Sequence, residues 1–187
     1  MTERRHWLLR ALAVLAIAAG AHLLAVWAIP RFIMAKVLST TPQQLGAKPG
    51  STASVYFPPM TDATQRRIVM PSPDLLYATC LFDVSRRPLR IQADPRLPGY
   101  WSVAAYAANS DNFVVVNDRQ LAGKPLDMVL VGPQGAEAGW VMPPGARVVI
   151  APSNRGLVLM RVLVADYVTE RAVLEPARRT LRCEALP

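Results

Sequence analysis

Arg161 is the only charged residue in the apolar stretch 157–164, which reads Leu-Val-Leu-Met-Arg-Val-Leu-Val. A guanidinium in a strand that is apolar on both faces is costly to bury alone, because the charge loses its hydration. We therefore predict that Arg161 is largely buried and lies within salt-bridge distance of Asp74 or Asp83. These carboxylates stand near the two ends of the other long apolar stretch, which begins at Leu75.

The surroundings of Arg161 admit two interpretations. In the first, Arg161 joins Asp74, Tyr77 and the amides Asn109 and Asn112 in a polar pocket that binds an anionic ligand. In the second, the arginine belongs to an internal ion pair that fixes strand register. The Asn- and Asp-rich segment 108–112 then only caps its own backbone in a tight turn. The residue types favour the second interpretation.

Other kinds of active site lack the residues that they need. Both histidines, His6 and His22, lie in the first 22 residues, in or beside an apolar segment. The rest of the chain therefore has no imidazole for a Ser-His-Asp triad, a Cys-His pair or a His-rich metal site. Phosphate-binding glycine loops, a Gly-x-Ser-x-Gly elbow and a calcium loop are also missing. We predict no cofactor, no metal site and no assignable catalytic residue.

The N-terminal apolar segment predicts a membrane anchor. Residues 11–29 carry no formal charge and would span roughly 28 Å as a helix, close to the thickness of a bilayer core. Trp7 and Trp27 lie near its ends, where aromatic rings prefer the membrane interface. We predict one transmembrane helix over residues 8–29, in contact with the lipid bilayer, separate from the rest of the protein and ending near Pro30.

Two further questions concern this segment. The small residues Ala19-Gly20-Ala21 offer a signal-peptide cleavage site, but the apolar run continues past them, which favours an uncleaved anchor. Arginines before the span slightly outnumber the basic residues that follow it closely, which favours a cytoplasmic N-terminus. We therefore predict a single-pass membrane protein whose domain is exported.

The charge balance does not indicate nucleic-acid binding. The chain has 21 Lys and Arg residues against 13 Asp and Glu residues, a net charge of +8. The basic residues are scattered, with doublets at 66–67, 86–87 and 178–179, and no dense basic run alternates with stacking aromatic residues. A solvated surface that tolerates anionic headgroups nearby is the simpler interpretation.

The only two cysteines, Cys80 and Cys183, leave two alternatives open. In an oxidising compartment they would form one bridge that closes a long loop. Otherwise they are two buried thiols, since cysteine is among the most buried residue types. Their spacing does not match a zinc or thioredoxin-like motif.

Short apolar stretches bounded by Pro and Gly follow the anchor. Their lengths suit strands, and their density predicts an all-β fold, an antiparallel sandwich or barrel. Only the last stretch resembles a helix, a short C-terminal one that Thr169 would cap. The predicted organisation is an anchor over residues 1–36, a linker over 37–54 rich in Pro, Gly, Ser and Thr, and a β domain over 55–187.

Several segments of the β domain resemble one known family, in matching order and spacing. They are Pro-Asp-Leu-Leu-Tyr at 73–77, Phe-Asp-Val-Ser at 82–85, Gly-Tyr-Trp-Ser-Val at 99–103, the Asn-rich turn at 109–113, Val-Gly-Pro at 131–133, and Ile-Ala-Pro-Ser-Asn at 150–154 followed by Arg161. Over about residues 55–165 the chain resembles the bacterial domain of unknown function 1254. The resemblance implies an immunoglobulin-like β-sandwich. Together with the anchor, it also implies a single-pass protein of the bacterial inner membrane whose domain faces the periplasm.

The same resemblance suggests how the protein works. Longer members of the family carry a second, jelly-roll domain of unknown function 1214, which this sequence lacks. One expectation is a non-catalytic module that binds another protein, such as a separate chain carrying that jelly roll, through a surface near Trp101, Phe113 or Trp140. The alternative is a ligand-binding or enzymatic subunit with a polar pocket around Arg161 and Asp74.

Overall fold

The computed structural model describes residues 2–44, 53–62, 64, 71–135 and 139–187. A long N-terminal helix precedes a β domain in which most of the regular structure is strand, and a shorter helix lies near the C-terminus. The elements are α1 (Thr2–Gln44), β1 (Ala53–Tyr56), β2 (Leu75–Asp83), β3 (Leu89–Ala93), β4 (Trp101–Ala107), β5 (Asn112–Asn117), α2 (Asp118–Leu121), β6 (Leu126–Val131), β7 (Arg147–Ile150), β8 (Arg155–Leu163), α3 (Tyr167–Arg178) and β9 (Arg182–Ala185).

The strands form two sheets around one shared core. The first sheet has the order β1-β2-β8-β4-β5 and is antiparallel throughout, while the second has the order β7-β6-β3-β9. In the second sheet β6 and β7 run parallel, so the expectation of a wholly antiparallel fold is wrong at this pair. Ala78 and Met160 of the first sheet share the core with Ile91 and Met128 of the second.

The residues of β8 alternate between the two faces of the first sheet. Val158, Met160 and Val162 are completely buried in the shared core. The side chains between them project from the opposite side of the sheet, which we call the outer face, and they are only partly buried. The sequence predicted burial on both faces because both sets of side chains are apolar, and the structure covers one face more completely than the other.

The two cysteines form a disulfide bridge. Cys80 of β2 and Cys183 of β9 are joined with a Cα–Cα distance of 6.6 Å. Because β2 belongs to the first sheet and β9 to the second, this bridge links the two sheets covalently through their core. Of the two alternatives that the sequence left open, the structure has the bridge.

The sequence predicted that the first helix ends near Pro30. This prediction is wrong, because α1 continues to Gln44. Proline removes one hydrogen bond from a helix, which favours an end at this point. Here the helical turns after Pro30 pack apolar side chains on the β domain, and this packing offsets the lost hydrogen bond. Met34 and Leu38 are buried against Leu81 on the outer face of the first sheet. The predicted linker over residues 37–54 therefore begins inside this helix, and its residues 45–52 lie outside the described residues. The exact domain boundaries stay a prediction.

The first two thirds of α1 stand clear of the β domain. Leu15 and Leu23 are 66% and 69% exposed, as expected for a helix separate from the core. The helix from Glu3 to Ser39 is long and apolar enough to cross a membrane. A single N-terminal helix of this kind is compatible with a single-pass anchor, although a signal sequence meets the same criterion.

The short C-terminal helix that the sequence predicted is α3. Its N-cap is Asp166, whose side chain accepts a hydrogen bond from the backbone N–H of Val168. Thr169, the residue expected to cap the helix, lies within its first turn. Its hydroxyl donates instead to the carbonyl of Asp166. Leu174 of α3 packs into the shared core, which fixes this helix against the sheets.

Gly156 occupies a position in β8 where no side chain fits. A Cβ atom built on this glycine would lie 2.2 Å from the carbonyl oxygen of Tyr106 and 2.5 Å from the ring of Phe82. We expect Gly156→Ala to destabilise the domain by about 3 kcal/mol, the upper part of the usual range for overpacking, because the nearest obstacle is backbone. Thermal unfolding would show the loss. Gly99→Ala is the control, since its Cβ would meet nothing within 4 Å.

Candidate functional site

Arg161 lies on the outer face of the first sheet, between Tyr77 of β2 and Ser102 of β4. It is half-buried, and its Nη2 donates a 2.7 Å hydrogen bond to the hydroxyl of Tyr106. Among the described residues no carboxylate lies within salt-bridge distance of this guanidinium. The prediction that Arg161 is largely buried and paired with Asp74 or Asp83 is therefore wrong.

Strand register keeps both carboxylates away from Arg161. Asp83 faces Arg155 at the far end of β2, with 3.7 Å between carboxylate and guanidinium. It lies six residues from Tyr77, roughly 20 Å along a strand. Asp74 precedes β2 and is exposed, and its backbone carbonyl accepts a hydrogen bond from Val164. Asp74 lies in the turn before β2, outside the strand that carries Tyr77 beside Arg161.

The two amides expected near Arg161 lie in the turn between β4 and β5. Asn109 donates to the carboxylate of Asp111 and accepts a 3.2 Å hydrogen bond from its backbone N–H. Asn112 is exposed and pairs with Tyr106 at a register shift. This is the self-capped turn of the second interpretation.

Of the five residues predicted to line a site, the structure brings Tyr77 and Arg161 side by side. The hydroxyl of Tyr77 accepts a 3.0 Å hydrogen bond from the backbone N–H of Ser72, so it is already engaged. Beside Arg161, Ser102 is completely buried, and its hydroxyl has no hydrogen-bond partner in the part of the chain that the structure describes. Ser102 belongs to the Gly-Tyr-Trp-Ser-Val segment at 99–103, but as a single small polar residue in an apolar strand it was not predicted to line a site.

The outer face of the first sheet carries apolar residues on both sides of the polar row Tyr77, Arg161 and Ser102, and it is only partly covered. At one end α1 packs on Leu81, together with the partly buried Tyr106 and Leu157. Elsewhere on this face Tyr56, Val115 and Leu163 are 40%, 43% and 47% exposed. Their positions in the register place all three on the outer face. We call Tyr56, Val115 and Leu163 the open patch.

The three aromatic residues suggested by the sequence as surface anchors are not part of the open patch. Trp101 is 5% exposed and belongs to the shared core. Phe113 packs edge-to-face on Phe82, with ring centroids 6.4 Å apart. Trp140 is half-buried against Val129 and its neighbours on the outside of the second sheet.

A buried polar cluster, which the sequence did not reveal, holds α3 in place. Arg178 is 3% exposed and donates to the carboxylate of Glu175 at 2.7 and 2.8 Å. It also donates to the backbone carbonyls of Pro58 and Tyr77. The hydroxyl of Tyr167 completes the cluster with a 2.8 Å hydrogen bond to Glu175.

Chain geometry explains why Arg178 is needed there. The β1–β2 pairing ends at Tyr56 and Thr79, and Pro58 would stand opposite Tyr77 if it continued. Proline has no N–H to donate across the ladder. The guanidinium of Arg178 donates to both carbonyls instead.

The cluster shifts the pKa of two of its members. Burial acts to raise the pKa of Glu175, but hydrogen bonds from Arg178 and Tyr167 outweigh it, so this pKa lies below its usual value. The hydrogen bond to Glu175, followed by burial, raises the pKa of Tyr167. Glu175 is therefore held as a carboxylate and Tyr167 as a neutral donor.

A groove lies at one end of the second sheet. Its volume is about 410 Å³, and its lining includes Asp94, Asp127, Arg179 and Arg182. Two of its carboxylates already have partners: Asp127 binds Arg90 at 2.6 and 2.8 Å, and Asp94 binds Arg96 at 2.9 Å. The hydrogen bond from Arg90 lowers the pKa of Asp127. These paired charges of both signs do not select one kind of ligand.

Comparison with known proteins identifies a family of unknown function. A family model described as a protein of unknown function (DUF1254) matches residues 53–184. None of the curated proteins matches the sequence. The crystal structure of the VPA0106 protein from Vibrio parahaemolyticus is similar over 89% of this chain and 37% of its own, with a TM-score of 0.63 and 14% identity.

A second solved structure, of a putative uncharacterized protein from Burkholderia cenocepacia, covers 83% of this chain at 15% identity with a TM-score of 0.49. The present chain spans 37% and 40% of the lengths of these two proteins. At 14% identity, the likeness to the Vibrio protein shows a shared fold alone.

Proposed function

This chain belongs to the DUF1254 family, and from that premise we propose that it is a membrane-anchored cell-envelope protein that works by binding another protein. The observation that carries the proposal is the open patch, three exposed apolar residues spread over a sheet face that α1 covers only at one end. Exposed apolar surface is a feature of faces that bind proteins or membranes.

The anchor in this proposal is α1. Its apolar residues before Pro30 are exposed along the helix, which suits lipid better than water. The guanidinium of Arg31 stacks on Trp27 at 4.7 Å, and such aromatic and basic pairs are typical of the membrane interface. We place the protein in the bacterial inner membrane with its β domain in the periplasm. A disulfide that crosses the core supports an oxidising compartment.

The partner in this proposal is a separate chain that carries the jelly-roll domain of unknown function 1214. In a two-domain relative, one face of the β domain would lie against that jelly roll, and we propose that the open patch lies on the corresponding face of this chain. The β domain itself would be an immunoglobulin-like sandwich. The inter-sheet bridge and the shared core support this description.

The test is affinity isolation of the detergent-solubilised full chain, with and without charges placed on the open patch. We expect Val115→Glu with Leu163→Glu to abolish co-purification of the jelly-roll chain and to leave the melting temperature nearly unchanged, because both side chains are exposed. Val168→Glu with Val173→Glu is the matched control on α3, where the two valines are 81% and 60% exposed. Equal retention of the partner by both double variants would contradict the proposal, as would a monomeric wild type that retains no such chain.

The alternative function, a ligand-binding or enzymatic subunit, has one observation in its favour. The buried hydroxyl of Ser102 lacks a partner among the described residues and lies beside the half-buried Arg161, a pair that suits a small anion. Asp74 lies apart from Arg161, so this version of the pocket does not include it. Binding of a small carboxylate that Ser102→Ala removes would favour the alternative.

A further inference from the structure

The end of the β domain that α1 reaches first also carries a small cleft lined by two arginines. The cleft has a volume of about 70 Å³ and lies between residues 84–88 and 132–135. Arg86 and Arg87 line it together with Gln134, Trp140 and Asn154. Both arginines are exposed, and neither forms an ion pair within the described part of the chain. Two adjacent guanidinium groups without carboxylate partners form a ready site for an anion.

Hydrogen bonds fix this cleft relative to α1. The hydroxyl of Ser110 donates to the carbonyl of Pro30 at 3.1 Å, which ties the β4–β5 turn to the helix. The backbone N–H of Ala108 donates to the hydroxyl of Ser153 at 2.9 Å. The next residue, Asn154, accepts a 2.8 Å hydrogen bond from the backbone of Val84. The loops that form the cleft are therefore held at the same end of the domain as Pro30.

Gly132 brings the second loop of the cleft close to the first. A Cβ atom at this position would lie 2.9 Å from the side-chain oxygen of Asn154 and 3.5 Å from the carbonyl of Val84. A larger residue at this position would displace the Asn154 side chain that lines the cleft. Its volume falls far below the roughly 300–1,000 Å³ of drug-sized pockets, so it suits a small group such as phosphate.

The position of Pro30 on α1 determines how close this end of the domain lies to the membrane interface. The uncharged run of the helix ends at Ile29, and Trp27 with Arg31 marks the interface. Phe32, one residue further on, is 72% exposed, so the apolar surface of the helix extends to the first contact with the domain. Headgroups would lie within reach of the domain end that contacts Pro30.

We propose that the cleft formed by Arg86, Arg87, Gln134 and Asn154 binds the phosphate of an anionic phospholipid headgroup. This inference rests on the proposed membrane anchoring. Each arginine guanidinium can donate hydrogen bonds to two phosphate oxygens at once, and the side-chain amides of Gln134 and Asn154 supply further donors. Trp140 is of a residue type that is enriched at the membrane interface. The protein thus selects anionic lipid beside its own anchor.

The experiment measures lipid retained by the full chain in detergent, using native mass spectrometry after incubation with phosphatidylglycerol or phosphatidylcholine. We expect preferential retention of phosphatidylglycerol, reduced about 10- to 30-fold in affinity by Arg86→Gln with Arg87→Gln, since each basic residue near an anionic surface contributes about fivefold. The matched control is Arg119→Gln with Lys124→Gln. It removes the same charge near α2, at the opposite end of β5, and should retain lipid like the wild type.

Three outcomes would overturn the inference: equal loss in both double variants, no loss in either, or displacement of phosphatidylglycerol by millimolar inorganic phosphate. The last outcome would identify free phosphate as the ligand of the cleft. Melting temperatures of both double variants should match the wild type, which excludes misfolding.

Alkaline carbonate extraction of membranes separates the two proposals, membrane anchoring by α1 and lipid binding by the cleft. A chain that stays in the membrane without lipid preference contradicts only this inference, and a chain released by carbonate contradicts the anchor itself.

Discussion

Reduction of the Cys80–Cys183 bridge should lower the stability of the β domain by about 4–5 kcal/mol, a large part of the total for a domain of this size. The bridge joins residues 103 positions apart, and the constraint on the unfolded chain grows with the length of the closed loop. Thermal unfolding with and without reductant measures the effect, and we expect the midpoint to fall by about 10–15 °C.

The double variant Cys80→Ala with Cys183→Ala separates the bridge from other effects of reductant. Because the chain has only these two cysteines, the variant should melt close to the reduced wild type and should not respond to reductant. Its midpoint should lie slightly lower than that of the reduced wild type, since alanine leaves unfilled space at the fully buried Cys80. A wild type whose melting is indifferent to reductant would contradict the prediction.

The sequence predicts the β elements well because their signals are local. The stretch 157–164 corresponds to β8 within two residues, and the apolar stretch that begins at Leu75 corresponds to β2. Alternation along β8 was not visible, since its leucines and valines are equally apolar on both sides. The resulting error concerned Arg161: an apolar neighbourhood in sequence implied complete burial, whereas its face of the sheet is only partly covered.

Which residues face each other across neighbouring strands could not be predicted from the sequence. Asp83 and Arg161 each stand out as charges in apolar strands, but register places Asp83 opposite Arg155. The length of α1 was missed for a related reason. Pro30 is a local signal for a helix end, while the compensating burial of Met34 and Leu38 depends on a sheet formed far along the chain.

The Arg178 cluster was beyond sequence reasoning because its partners carry no side-chain signal. Two of them are the backbone carbonyls of Pro58 and Tyr77, which lie 120 and 101 residues away. Arg178–Arg179 reads as one more solvated basic doublet, yet the two side chains differ sharply. The first is 3% exposed and the second 58% exposed. Substitution of the buried Arg178 can therefore be compared with the same substitution of the exposed Arg179.

Arg178→Met should destabilise the β domain by about 3–5 kcal/mol, the usual cost of removing one partner from a buried charge pair. The change leaves the carboxylate of Glu175 without its two short hydrogen bonds and leaves the carbonyls of Pro58 and Tyr77 without the arginine. Arg179→Met is the control. Its guanidinium is exposed and 3.7 Å from the same carboxylate, and an exposed ion pair contributes less than about 1 kcal/mol.

The pH dependence of these two variants tests the role of Glu175 directly. The pKa of Glu175 is lowered in the folded protein, so its contribution is present above its unfolded pKa of about 4.3 and is lost as the pH falls through the folded value. Without Arg178, its two hydrogen bonds to Glu175 are gone and the one from Tyr167 remains, so protonation of Glu175 costs less. We therefore expect the stability difference between wild type and Arg178→Met to be constant above about pH 5 and to shrink as the pH falls below about 4. Denaturant unfolding at a series of pH values measures this difference. A gap that stays constant down to pH 3 would show that Arg178 acts through its backbone contacts alone, and not through the carboxylate of Glu175.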